Sequence, residues 1–207
     1  MSSYPVNQHA LDQYRKRACV YDMELAPFEP IRRSAIERLN LNKGDTVLDV
    51  GCGTGLSFGL MQTAIGPQGH IIGIEQSADM LDQARQRTIA QGWTNVTLIL
   101  TPAQHAQIPV KADAAFFHFT HDILRNVGAV GNVVQSLRPG AHIVATGLQW
   151  APPWAWITNC FVMAAALHSV SSLDGLGQPW SVLSDHVGGL DVSTTLMGGV
   201  FIEGLST

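Results

Sequence analysis

The sequence predicts an α/β domain built on a doubly wound parallel sheet with helices on both faces. Three observations carry that expectation. Short apolar runs alternate with helical patterns from residue 46 to residue 146. The connections between the runs are too long for hairpins, so successive strands run parallel. The first run, Val47-Leu48-Asp49-Val50, breaks into Gly51-Cys52-Gly53-Thr54-Gly55, where glycines let backbone turn tightly and approach a ligand without Cβ atoms in the way. Doubly wound folds hold nucleotide-like ligands at such strand ends.

Taken in order, residues 8–39 carry apolar positions at helical spacing, Leu11, Tyr14, Ala18 and Tyr21 and then Ile31, Ala35, Ile36 and Leu39. Pro27 and Pro30 divide them into two helices, and Arg15-Lys16-Arg17 lies on a solvated face. The strand at 47–50 and its glycine loop follow, then a crossover helix over 56–65 that ends at Gly66-Pro67. A second strand, 70–74, delivers Glu75 at its carboxyl end, and Ser77 caps a helix to residue 90 that Gly92 closes. Strands at 96–100 and 112–117 come next, then a helix over 129–137, the turn Arg138-Pro139-Gly140 and a fifth strand at 142–146. Beyond Gly147, the tryptophans Trp150, Trp154 and Trp156 crowd a proline bend before an apolar helix over 154–170. A shorter helix spans 179–187, and strands at 190–195 and 199–202 form a terminal antiparallel pair.

Length and composition narrow the function. A chain of 207 residues fits one domain, and 46% hydrophobic against 14% charged residues with a net charge of -4 favour neither a disordered chain nor a strongly basic nucleic-acid binder. Cys19, Cys52 and Cys160 are odd in number and widely spaced, which suits reduced thiols in a cytoplasm and no zinc site. Residues 1–9 lack the pattern of a secretory signal, and the apolar run at 157–167 falls short of a membrane span. The expectation is a soluble cytoplasmic protein with no integral membrane segment and no nucleic-acid partner, a monomer or homodimer.

The glycine loop decides between cofactors. A dinucleotide fingerprint needs Gly or Ala at its sixth position, where this chain has Leu56. The ordered set from Asp49 to Gly55, Glu75, the helix start at Ser77, Asp113 and Arg138-Pro139-Gly140 instead resembles the class I S-adenosylmethionine-dependent methyltransferases. Within that class it is similar to the small-molecule group of ubiquinone and menaquinone C-methyltransferases and phospholipid N-methyltransferases. The resemblance covers residues 21–146 and implies a Rossmann-like sheet of seven strands, mostly parallel with an antiparallel last strand. It implies one methyltransferase domain over 1–207, with a helical cap at 1–40, a cofactor core at 41–148 and a substrate side at 149–207.

The same resemblance implies that Asp49, Gly51, Cys52, Gly53 and Gly55 hold the methionine and ribose parts of S-adenosylmethionine, and that Glu75 binds the ribose diol. Tyr21, Gln76, Met80 and His118 complete that cofactor set. Many relatives carry Gly-Asp-Ala after the third strand, where this chain has Thr101-Pro102-Ala103, so adenine falls to Pro102, the Ala103 N–H and Gln104, whose side chain either reaches the amino group or faces solvent. His118, His121 and Asp122 leave the fourth strand where the methyl group would sit, and either supply a base oriented by an acid or serve packing and capping. Tyr14, Trp150 and Trp154 either line an apolar acceptor site or anchor the core. The activity implied is methyl transfer to a small, fairly apolar acceptor of unresolved atom, with S-adenosylhomocysteine as the other product. A phospholipid-headgroup N-methyltransferase and a non-catalytic module binding either form of the cofactor are the alternatives.

Overall fold

The structure is a computed structural model that describes residues 28–169, 176–195 and 198–207. Seven strands form one sheet in the order β3-β2-β1-β4-β5-β7-β6. They are β1 (Thr46–Val50), β2 (His70–Glu75), β3 (Val96–Leu100), β4 (Ala112–His118), β5 (Leu137–Leu148), β6 (Val187–Thr194) and β7 (Gly199–Ser206). β7 alone runs against its neighbours, pairing antiparallel with both β5 and β6. The expected sheet class is therefore the one observed.

Helices cover both faces. On one lie α1 (Glu29–Arg38), α2 (Phe58–Ile65) and α3 (Ala78–Ala90), which bury Ile36, Met61 and Leu81 against Val47, Ile71 and Phe116. On the other lie α4 (His121–Leu124), α5 (Val127–Gln135) and the one-turn α7 (Ser181–Ser184), whose Leu124, Val130 and Leu183 pack on Leu48, Phe117 and Ile143. α6 (Trp156–Ser169) lies between β5 and α7 in the chain. Ser77 caps α3 as expected, its hydroxyl accepting from the Met80 N–H at 3.5 Å. Asn126 caps α5, accepting from the Ala129 N–H at 3.0 Å. Replacement Asn126→Ala leaves that donor unpaired, and chemical denaturation is expected to register a loss of about 1 kcal/mol.

Three local expectations give way to tertiary pairing. Arg138-Pro139-Gly140 is no turn but a bulge inside β5, because Leu137 already pairs with Ala112 before the register shifts to His142 against Ala114. Arg138 pairs across the bulge with Asp113, whose other oxygen accepts from the Thr46 N–H at 2.8 Å, so one aspartate ties β1, β4 and β5. The helix expected over 179–187 stops at Ser184, since Val187 joins β6 opposite Ser206. The crossover helix begins at Phe58 instead of 56, because Gly51, Gly53 and Gly55 all take positive φ and residues 51–57 form turns. Strand order reverses between β1 and its two neighbours, β2 and β4, so a crevice opens at the carboxyl ends of these strands.

Candidate active site

The crevice is floored by the glycine loop. Gly51 has φ +77, and a Cβ there would stand 2.6 Å from the Thr120 methyl group; at Gly55, φ +75, it would stand 2.7 Å from the Phe58 ring. Glycine is required at both positions by backbone conformation and by space. The Gly51 and Cys52 N–H groups both donate to the Ile74 carbonyl, at 2.8 and 3.1 Å, which binds the loop to the end of β2. Cys52 is buried, with its sulfur against Gly73, and burial pushes its thiol pKa up. It therefore acts as a small apolar side chain.

Glu75 stands at the end of β2, with one carboxylate oxygen accepting from the Gly53 N–H at 3.1 Å and the other from the Ser77 N–H at 2.8 Å. The acid is thus locked to the loop it faces. Burial raises its pKa, while the same N–H groups pull it back. Met80 is buried in the first turn of α3, and Gln76 is exposed beside it.

Asp49 is the next-to-last residue of β1 and is 2% exposed, yet its Oδ2 has no hydrogen-bond partner. Burial lifts its carboxyl from an ordinary 3.8 to about 7, the charge of Arg32 pulling it down and that of Glu75 pushing it up. Arg32 descends from α1, also 2% exposed, paired with Glu29 but with its Nε unpartnered. Reading the sequence missed this residue. Its signal was present, because Arg32 sits three and four positions before Ala35 and Ile36, on the stripe that helical spacing assigns to the core.

His118 ends β4 on the same side of the sheet. Its Nδ1 meets the Thr146 hydroxyl at 2.6 Å, its ring lies between Phe116 and Phe119, and its buried Nε2 has no partner. Burial, helped by the Arg32 charge, lowers its pKa from 6.5 to about 3, so the imidazole is neutral. The two imidazoles take different partners. His121 is buried with its Nε2 against the Leu148 backbone, 2.8 Å from the carbonyl oxygen and 3.1 Å from the nitrogen, and Asp122 lies exposed. His118 is oriented by a threonine hydroxyl from β5, a partner 28 residues away.

Phe119 holds φ +56, a conformation that a bulky side chain adopts only under constraint. The Phe119 N–H donates to the Thr146 carbonyl at 2.9 Å, and its ring meets Phe28 edge-on at 5.3 Å. Trp150 joins Phe119 in a cluster with Leu148, Val162 and Leu176, whereas Trp154 stands 82% exposed outside it. Ala103 is buried in a single 3-10 turn after Pro102, where Asn132 donates to the Ala103 and Ala106 carbonyls at 2.8 and 2.9 Å; Gln104 is half-buried. Tyr14 and Tyr21 lie outside the described residues.

Residues 41–170 match the family model described as a methyltransferase domain, which is more than half of the chain. The chain belongs to the methyltransferase domain family. Within this class I methyltransferase family, its relatives include a demethylmenaquinone methyltransferase of Listeria monocytogenes, 31% identical over 63% of this chain and 56% of that protein. A protein-L-isoaspartate O-methyltransferase of Ignicoccus hospitalis is 38% identical over 31% of each chain. The chain thus spans about half the length of the first relative and a third of the second. Among solved structures, an S-adenosylmethionine-dependent methyltransferase from Aquifex aeolicus aligns over 85% of this chain and 89% of its own, with a TM-score of 0.61 at 19% identity. A geranyl diphosphate C-methyltransferase from Streptomyces coelicolor aligns over 86% and 76%, with a TM-score of 0.65 at 14% identity. At such identities these methyltransferase structures speak for the fold.

Proposed function

We propose that this methyltransferase-family chain transfers the methyl group of S-adenosylmethionine to a small, fairly apolar acceptor. One observation carries the reading. Among the described residues, six buried side-chain atoms lack a partner, and Arg32 Nε, Asp49 Oδ2, His118 Nε2 and Thr120 Oγ1 are four of them. Buried polar atoms are normally satisfied, so a group of orphans beside a glycine loop supports the binding of a polar ligand there. The set suits the cofactor's chemistry. Asp49 complements its ammonium, Arg32 its carboxylate, and Glu75 its ribose hydroxyls.

When bound, the cofactor supplies an electrophilic methyl group on a sulfonium. What the chain does is position, exclude water and present neutral surfaces. His118, neutral and dry, offers Nε2 to an acceptor as a hydrogen-bonding guide, while Phe119 and Trp150 give that acceptor apolar contact. The likeness to demethylmenaquinone methyltransferases supports an apolar acceptor.

The test is calorimetric titration with S-adenosylmethionine, then a screen of labelled methyl transfer to phenols, quinols, amines, thiols and ethanolamine lipids. Saturable cofactor binding with turnover on one class supports the enzyme; binding with no turnover on any class favours a non-catalytic module. In the active assay, His118→Ala is expected to lower kcat about fivefold and leave cofactor affinity within about twofold. A fall in melting temperature with unchanged turnover would make His118 a packing residue.

A further inference from the structure

Nine large hydrophobic side chains stand exposed among the described residues, and Trp154, Trp156, Ile157 and Met163 fall within ten residues of one another. They occupy the proline bend and the outward face of α6, with exposures of 82%, 67%, 67% and 46%. Contiguous exposed apolar surface of this kind marks an interaction site. The face cannot be relieved by turning inward, because the opposite side of the helix is already engaged. Val162 is fully buried, and the Asn159 amide clamps the bend, accepting from the Ala151 N–H at 2.8 Å and donating to its carbonyl at 3.1 Å.

Charge identifies the occupant. From Pro139 to Leu173 the chain carries no Asp, Glu, Lys or Arg. Protein interfaces surround an apolar centre with a polar rim, and no charged side chain of this stretch contributes to one. Anionic headgroups would meet a chain of net charge -4 with no basic residue in the patch. Tryptophan suits the boundary between acyl chains and headgroups, where its ring is buried and its N–H stays wet. We propose that the bend and the outward face of α6 dock on the surface of an electrically neutral lipid bilayer.

The helix would lie in the interface plane. Its 14 residues give roughly 21 Å, against about 30 Å for a hydrocarbon core, and no described helix is long and apolar enough to cross a membrane. The inner face of the same helix packs toward the crevice. Val162 packs with Trp150 and Phe119, and the Phe119 ring meets that of His118 at 4.7 Å. Docking would therefore bring an acceptor dissolved in the bilayer to the helix that packs beside the crevice. That delivery rests on the methyltransferase reading, whereas docking itself does not.

The test is flotation of the full chain with phosphatidylcholine vesicles. The protein is expected to float, equally at low salt and at ~0.5 M salt, where charge attraction is screened. The double replacement Trp156→Ala/Ile157→Ala should weaken partitioning about tenfold, while Ile89→Ala, which removes an exposed side chain on α3, should leave it unchanged. No flotation, binding confined to anionic vesicles and lost in salt, or equal loss in the Ile89 variant would overturn the proposal. So would a concentration-dependent dimer that the double variant dissolves, with no vesicle binding, since the face would then pair two copies. Titrating the double variant with S-adenosylmethionine separates the two readings, because unchanged affinity beside lost flotation confines the effect to the docking face.

Discussion

Glu75→Ala is expected to weaken S-adenosylmethionine binding about hundredfold, the sum of two charge-assisted hydrogen bonds of roughly 1.5 kcal/mol each. The carboxylate has little freedom to be anywhere else. Its oxygens accept from the Gly53 and Ser77 N–H groups, which spends one lone pair on each and leaves another on each for a diol. The variant loses the ligand contact and also the tie between glycine loop and α3. Glu75→Gln separates these losses, because the amide oxygen keeps one backbone bond and one diol bond while the charge is gone; an intermediate loss of about tenfold is expected. Calorimetry reads both, and unchanged affinity in the alanine variant would remove the ribose assignment.

What the sequence discloses is what the chain builds from neighbours. Strand β1, the glycine loop, Glu75 and the Ser77 cap lie within 32 residues, and each is specified by local patterning or by a positive φ that glycine tolerates. The features it conceals depend on partners distant in the chain. Arg138-Pro139-Gly140 has the composition of a turn, but strand pairing at Leu137 and the Ser206 hydroxyl accepting from the Ala141 N–H at 2.9 Å hold it in β5. The histidines look alike on paper. The fold separates them, giving His118 to Thr146 and the crevice and His121 to the Leu148 backbone. Trp150 and Trp154 are four residues apart, yet the clamp on Ala151 leaves one in a cluster and the other in solvent.

Affinity for S-adenosylmethionine is expected to fall about tenfold from pH 8 to pH 6, beyond any change due to the ligand itself, and Asp49→Asn should abolish that part. A carboxyl lifted to about 7 is mostly protonated at pH 6 and must lose its proton to meet an ammonium. Stability carries the same signature with the sign worked out for each group. Asp49 moves from 3.8 to about 7 on folding, so between those values the folded state holds the extra proton, and its contribution to stability falls as pH rises. His118 moves from 6.5 to about 3, so over nearly the same window the unfolded state holds the extra proton, and stability rises with pH. In the native chain these two slopes oppose each other. Asp49→Asn removes one of them, and urea denaturation between pH 4 and pH 6.5 should then show a steeper gain in stability with pH than the native protein. Equal slopes in the two proteins would mean that Asp49 is ionised before the cofactor arrives, and the buried pair with Arg32 would then be a standing ion pair instead of a site completed by its ligand.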